Sequence, residues 1–158
     1  HPNVFLPKKT NKESNLSWEQ AKKKQKNRNS VLDGVPLSLP TLTRARRIQE
    51  KASSVGFDWK KIEPIWDKIN EEIDELQEAI ALNDKDNIQD EMGDVLFSIV
   101  NLARFMDIDP ESSLRGTIRK FEHRFKEVEA YFEKNKKDIN DASLEEMDQI
   151  WEQIKNKK

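Results

Sequence analysis

Asn70-Glu71-Glu72-Ile73-Asp74-Glu75 and Asp90-Glu91-Met92-Gly93-Asp94 are the two stretches on which the reading of this chain turns. Each holds two carboxylates three residues apart, Glu72 with Glu75 and Glu91 with Asp94, and on a helix such a pair stands side by side on one flank. Ile62, Ile65, Trp66, Ile69, Ile73, Leu76 and Ile80 recur around the first stretch at helical spacing. This predicts a helix with one apolar stripe. At about 100° per residue, Lys68, Glu72, Glu75 and Ala79 run along one edge of that stripe, while Glu71 and Glu78 point to solvent. Glu72 and Glu75 are therefore expected to be half-buried.

The second stretch opens a helix that is apolar almost all the way round from Met92 to Met106, the pattern of a helix central to its fold. Glu91, Asp94, Ser98 and Asn101 share its one polar side. A carboxylate on a buried helix costs on the order of 2 kcal/mol or more unless it is compensated. A hard cation with oxygen ligands is one compensation, and Mg²⁺ is its usual identity when phosphates complete the shell. A buried salt bridge to Lys68 or Arg124 is another. Thirty of 158 residues are acidic, so such pairs also arise by chance as solvated faces. Two pairs on successive helices strengthen the metal reading and leave the other two open.

Composition narrows the class. With 37% charged residues, 35% hydrophobic ones and four glycines, the chain suits an all-α antiparallel helical bundle. A net charge of −2 gives no broad basic face, so nucleic-acid binding is not expected. No apolar run reaches the length of a membrane span and no signal peptide is visible, which makes the cytoplasm the default. Without cysteine there is neither disulfide nor thiol chemistry. The first residue is His1, as in a processed product or a fragment.

Outward from the core stretch, residues 1–29 read as an arm or linker followed by a short basic helix from Leu16, and residues 30–158 as one domain. The basic run Lys22, Lys23, Lys24, Lys26 and Arg28 is a solvated face or supplies a phosphate contact from one of its lysines. Val31 to Pro40 is turn-rich, with Asp33-Gly34 and two prolines. A helix from Thr41 to Gly56 is predicted to bury Leu42, Ala45, Ile48 and Ala52, with Phe57 and Trp59 packing back after it. The polar break Asn83–Asp86 makes the two acid-bearing helices an antiparallel hairpin. Asp109-Pro110 restarts the chain as N-cap and first helical residue. The next helix carries the seam Leu114, Ile118, Phe121, Phe125, Val128 and Phe132, with Lys120 and Arg124 beside it. Those two cations suit a phosphate clamp, since Arg forks onto two oxygens, or they pair with nearby glutamates. His123 reads as a surface histidine. Ser143-Leu144-Glu145-Glu146 opens the last helix as a capping box, with Leu144, Met147, Ile150 and Ile154 inward. Trp151 and Lys155, one turn apart, are core and surface, or a stacking ring and a phosphate cation.

The ordered set of motifs resembles the MazG-type nucleoside triphosphate pyrophosphohydrolases of the all-α NTP pyrophosphatase superfamily, in particular the C-terminal domain of two-domain members. It comprises Ser30–Val35-Pro36, Ser38-Leu39-Pro40, Val55-Gly56-Phe57-Asp58-Trp59, Glu71 to Glu75, Glu91 to Asp94, Lys120–Phe125 and Leu144 to Trp151. His1-Pro2-Asn3-Val4-Phe5 is similar to the junction between the two domains, which implies an N-terminal MazG domain outside this stretch. The resemblance implies Mg²⁺ ligation by Glu72, Glu75, Glu91 and Asp94, with Mn²⁺ as a substitute. It further implies nucleotide contacts from Lys22, Lys68, Glu71, Lys120, Arg124, Trp151 and Lys155. The reaction it implies is hydrolysis of NTPs or dNTPs to the monophosphate and pyrophosphate by a homodimer, with Glu71 or Glu75 as the base that takes a proton from water. Asn87 stands where the family pattern leads one to expect a basic, phosphate-facing residue. The alternative is a non-catalytic helical module that binds metal and nucleotide.

Overall fold

The computed structural model describes Trp18 and residues 29–157. Of the expected basic helix only Trp18 and Asn29 are among the described residues; Lys22 lies outside them. The fold is all-α: helices α1 (Thr41–Ser54), α2 (Glu63–Ala81), α3 (Lys85–Phe105), α4 (Pro110–Lys134) and α5 (Leu144–Asn156), with a 3₁₀ turn at Ile139–Asp141 and no strand among the described residues. None of these helices is long and apolar enough to cross a membrane. The chain divides into two compact units at Glu111/Ser112.

In the first unit, α2 and α3 pack along their length as a hairpin closed by Leu82, Asn83 and Asp84, and α1 packs on α3. Asn83 takes the left-handed conformation (φ 52°), and the Asp84 side chain accepts from the Asn87 amide, capping α3. Helix α1 ends as expected: Gly56, at φ 96°, lets the Phe57 amide reach the Ala52 carbonyl at 3.1 Å.

Which face is buried departs from the apolar pattern. The deep positions of α1 are Gln49 and Lys51, whereas Leu42, Ala45, Ile48 and Ala52 are only partly covered. In α2 the buried line runs through Ile65, Ile69, Glu72 and Ala79, rotated off the apolar stripe, so that Trp66 and Ile80 face outward. Helix α3, on which both α1 and α2 pack, is not enclosed. Ser98 and Val100 are buried, but Met92, Leu96, Phe97 and Ile99 are each about half exposed. Phe57 also faces outward, contrary to expectation.

In the second unit, Val128 and Phe132 of α4 and Ile150 of α5 form the core, covered by Tyr131, Ile139, Met147, Trp151 and Ile154. Only the C-terminal half of the predicted α4 seam is buried, for Leu114, Ile118 and Phe121 remain exposed. Leu144, expected inside, is exposed because it begins α5 beyond the edge of this core. Half of the capping box forms. Ser143 Oγ accepts from the Glu146 amide at 3.1 Å, while the Glu146 carboxylate pairs with Lys137 at 3.2 Å.

Candidate metal centre

The rotation of the buried line in α2 decides where its acids go. Glu72 sits among Ile65, Ile69 and Ala79 and is only 7% exposed, an unusual position for a carboxylate. Across the hairpin, α3 brings Glu91 and Asp94 to it. One carboxylate oxygen each from Glu72, Glu91 and Asp94 lies within 4.8 Å of the others, and the same holds for Glu71, Glu72 and Glu75. Glu72 belongs to both groups. Glu75 closes the set through hydrogen bonds with Glu72 on its own helix and Glu91 on the neighbouring one. The four acids singled out by helical spacing therefore meet.

Their proximity changes their acidity. Burial, then the hydrogen bond with Glu75, raises the Glu72 carboxyl above its ordinary range, against the opposing charge of Lys68. Desolvation pushes Glu91 up to about 7, reinforced by the hydrogen bond with and charge of Glu75 and by Asp94. An all-oxygen, multiply anionic donor set of this size suits a hard divalent ion.

The remaining expectations divide. Glu75, expected half-buried, is exposed, since the buried line passes on Glu72's side of it. Glu71 is exposed as expected, and Lys68 pairs with it at 3.7 Å. Asn87 is exposed and takes part in the α3 cap through its backbone. His123 is a surface residue facing Glu127 at 3.1 Å. Lys120, Arg124, Trp151 and Lys155 belong to the second unit. There the Arg124 guanidinium lies 6.0 Å from the Trp151 ring centre, and Phe121 packs on the same ring at 5.2 Å. Trp151 is thus half-buried among its own neighbours, and Lys120 and Lys155 are exposed.

A cavity of about 310 Å³ opens beside the carboxylates, with Lys68, Glu72 and Asp94 on its wall. Phe57, Trp59 and Phe97 give it aromatic surface, and Gln49, Ser98 and Asn101 give it polar groups. Behind it, Arg104 forks onto Asp58, which also accepts from Ser53 Oγ and from the Trp59 amide. Spacing arguments centred on the acids passed over Gln49, Asp58 and Arg104. The one available signal was Arg104 itself, a cation near the end of an otherwise apolar helix, which requires a buried partner.

Comparison with known proteins agrees with this geometry. Residues 61–129, which contain both acid pairs, match the MazG nucleotide pyrophosphohydrolase domain. The chain is 44% identical, over 98% of its length, to the nucleoside triphosphate pyrophosphohydrolase/pyrophosphatase MazG of Thermotoga maritima. It is 40% identical, again over 98% of its length, to the nucleoside triphosphate pyrophosphohydrolase of Escherichia coli K12. It spans 60% and 62% of those two relatives. A third relative, the uncharacterized protein YabN of Bacillus subtilis, is 40% identical over 98% of the chain, which spans 33% of it. Both acid pairs thus lie inside the stretch that matches the MazG nucleotide pyrophosphohydrolase domain, and the similarity to MazG proteins extends over 98% of the chain.

Proposed function

We propose that this chain hydrolyses nucleoside triphosphates, NTPs and dNTPs alike, to the monophosphate and pyrophosphate with Mg²⁺. The observation that carries the reading is the meeting of Glu72, Glu75, Glu91 and Asp94 around buried Glu72, next to a cavity of nucleoside size. These four are the proposed ligands of Mg²⁺, or of Mn²⁺ in its place. When bound, the ion would neutralise phosphate charge and lower the pKa of a bound water.

The chain's own groups do the rest. Exposed Glu71 and Glu75 are placed to accept the water's proton, because neither is enclosed as Glu72 is. Lys68, on the cavity wall beside Glu71, supplies a cation for the phosphate oxygens as charge moves to the leaving group. The phosphate and base contacts drawn from the resemblance for Lys22, Lys120, Arg124, Trp151 and Lys155 belong to the same proposal. So does a cytoplasmic location.

The exposed apolar side chains of α3, among them Met92, Leu96 and Ile99, support assembly as a homodimer in which a second copy covers them. The relatives' greater length supports a further domain outside this stretch.

The deciding experiment measures pyrophosphate release from a panel of NTPs and dNTPs with Mg²⁺, for the wild-type chain and Glu91→Gln. Release that disappears in the variant supports the reading, and undiminished release in Glu91→Gln ends the metal assignment. Binding of Mg²⁺ and nucleotide without turnover would return the chain to a non-catalytic binding module.

A further inference from the structure

Three consecutive backbone amides after α1 are tied down. Gly56 turns the chain at φ 96°, and the Phe57 amide donates to the Ala52 carbonyl at 3.1 Å. The Asp58 amide donates to the Gly56 carbonyl at 3.0 Å, and the Trp59 amide to Asp58 Oδ1 at 2.8 Å. Asp58 anchors the segment through its side chain as well. Its carboxylate takes both prongs of Arg104 and the Ser53 hydroxyl, the latter at 3.0 Å. Arg104 in turn gives its Nε to Asn101 Oδ1 at 2.9 Å. One network thus runs from α1 through Asp58 to α3. Phe57, Trp59 and Asn101 at its margins all line the cavity that Glu72 and Asp94 also reach.

Enclosing two charges is costly, and apolar side chains of the same volume would hold the same space at least as stably. What a forked ion pair adds is direction, since guanidinium and carboxylate engage through two parallel bonds. The side chain next to this anchor is Phe57, which is 81% exposed on an ordered backbone. So large an apolar surface standing in water is covered only when something enters the cavity it lines. We propose that Asp58 and Arg104 are positioning residues for the nucleotide. They hold Phe57 and Trp59 as the apolar wall against which the nucleoside part of the substrate closes. The phosphate end lies toward Glu72 and Asp94 on the same cavity. The pair acts through the wall and not on the phosphates, so its loss weakens nucleotide binding and spares the metal. The inference rests on the proposed nucleotide reading and deepens it.

Calorimetric titration of the whole chain tests it without turnover, using Mg²⁺ alone and then the α,β-methylene analogue of ATP in Mg²⁺. Each variant is measured well below its melting temperature. Arg104→Lys should bind the analogue about tenfold more weakly, with Mg²⁺ affinity unchanged. A merely structural role would weaken both alike or neither. Phe57→Ala should weaken the analogue to a similar degree, and adding Arg104→Lys to it should cost no more than about twofold further, because the wall they share is gone. Unchanged analogue affinity in Arg104→Lys, Mg²⁺ affinity lost in step with it, or fully additive losses in the double variant would overturn the proposal. Should Arg104→Lys fail to fold, Ser53→Ala takes its place, since it removes one donor to Asp58 from outside the cavity lining. The loss expected there is about threefold, and an unchanged analogue affinity overturns the proposal equally. A wild-type chain that binds neither Mg²⁺ nor the analogue defeats the nucleotide reading itself. Analogue binding that these substitutions leave untouched defeats only this inference.

Discussion

Arg104 and Asp58 form a two-pronged ion pair, Nη2 to Oδ1 at 2.7 Å and Nη1 to Oδ2 at 3.1 Å, with side chains only 9% and 2% exposed. The pair joins the segment after α1 to the last turn of α3, across the back of the cavity. Asp58 also takes hydrogen bonds from Ser53 and from the Trp59 amide, so its carboxylate is fully engaged.

Removing one partner leaves the other buried and unpaired. Arg104→Met is expected to cost about 3–5 kcal/mol of stability in urea unfolding. Arg104→Lys keeps the charge but loses the fork and the Nε bond to Asn101, and should recover only part of that. Equal stability of all three proteins would show that the pair is inessential to the fold.

The raised Glu91 pKa fixes the sign of a pH effect. Its folded value is about 7 against 4.5 for the free side chain, so the folded chain holds a proton that the unfolded chain releases. That contribution is fully present below pH 4.5 and lost as pH climbs through 7. Metal-free melting temperature should therefore fall over this window, and Glu91→Gln should flatten the fall. Thermal melts across a pH series measure both.

Added Mg²⁺ should act in the opposite sense. At pH 8 a ligand that binds only the folded state stabilises it by about 2.7 kcal/mol at a hundred times its dissociation constant, and so raises the melting temperature with its concentration. The gain should shrink toward pH 5 as protons compete for the same oxygens, and should vanish in Glu72→Gln, which removes the residue common to both carboxylate groups. A Mg²⁺ response that survives this substitution would place the ion elsewhere.

Gly56 tests the local backbone alone. At φ 96°, with nothing within 4 Å of an added Cβ, Gly56→Ala meets no neighbour and suffers only the conformational penalty. The expected loss is about 1–2 kcal/mol by denaturant titration.

Helix existence and the meeting of the acids were legible in the sequence, because 3.6-residue spacing and a three-residue connection are local properties. The cap at Gly56 was visible for the same reason. What spacing could not supply was rotation. Trp66 and Ile80 look like core and stand outside, while Gln49 looks like surface and stands inside. A polar side chain declares its burial only through partners that lie far along the chain, as Gln49 does through the Phe97 carbonyl and Asp58 through Arg104. Two such distant pairings hold residues of the cavity lining, and periodicity gave no sign of either.

The brevity of the Leu82–Asp84 turn bears on folding kinetics. Every acid of the cluster belongs to one hairpin, whose ends meet at low loop-closure entropy and which can zip before α1 docks. In a bare chain that zipping drives four anionic groups together. Divalent ions should consequently speed refolding in stopped-flow traces as well as slow unfolding, so that the nascent hairpin is screened for its cation before the rest of the protein has taken shape.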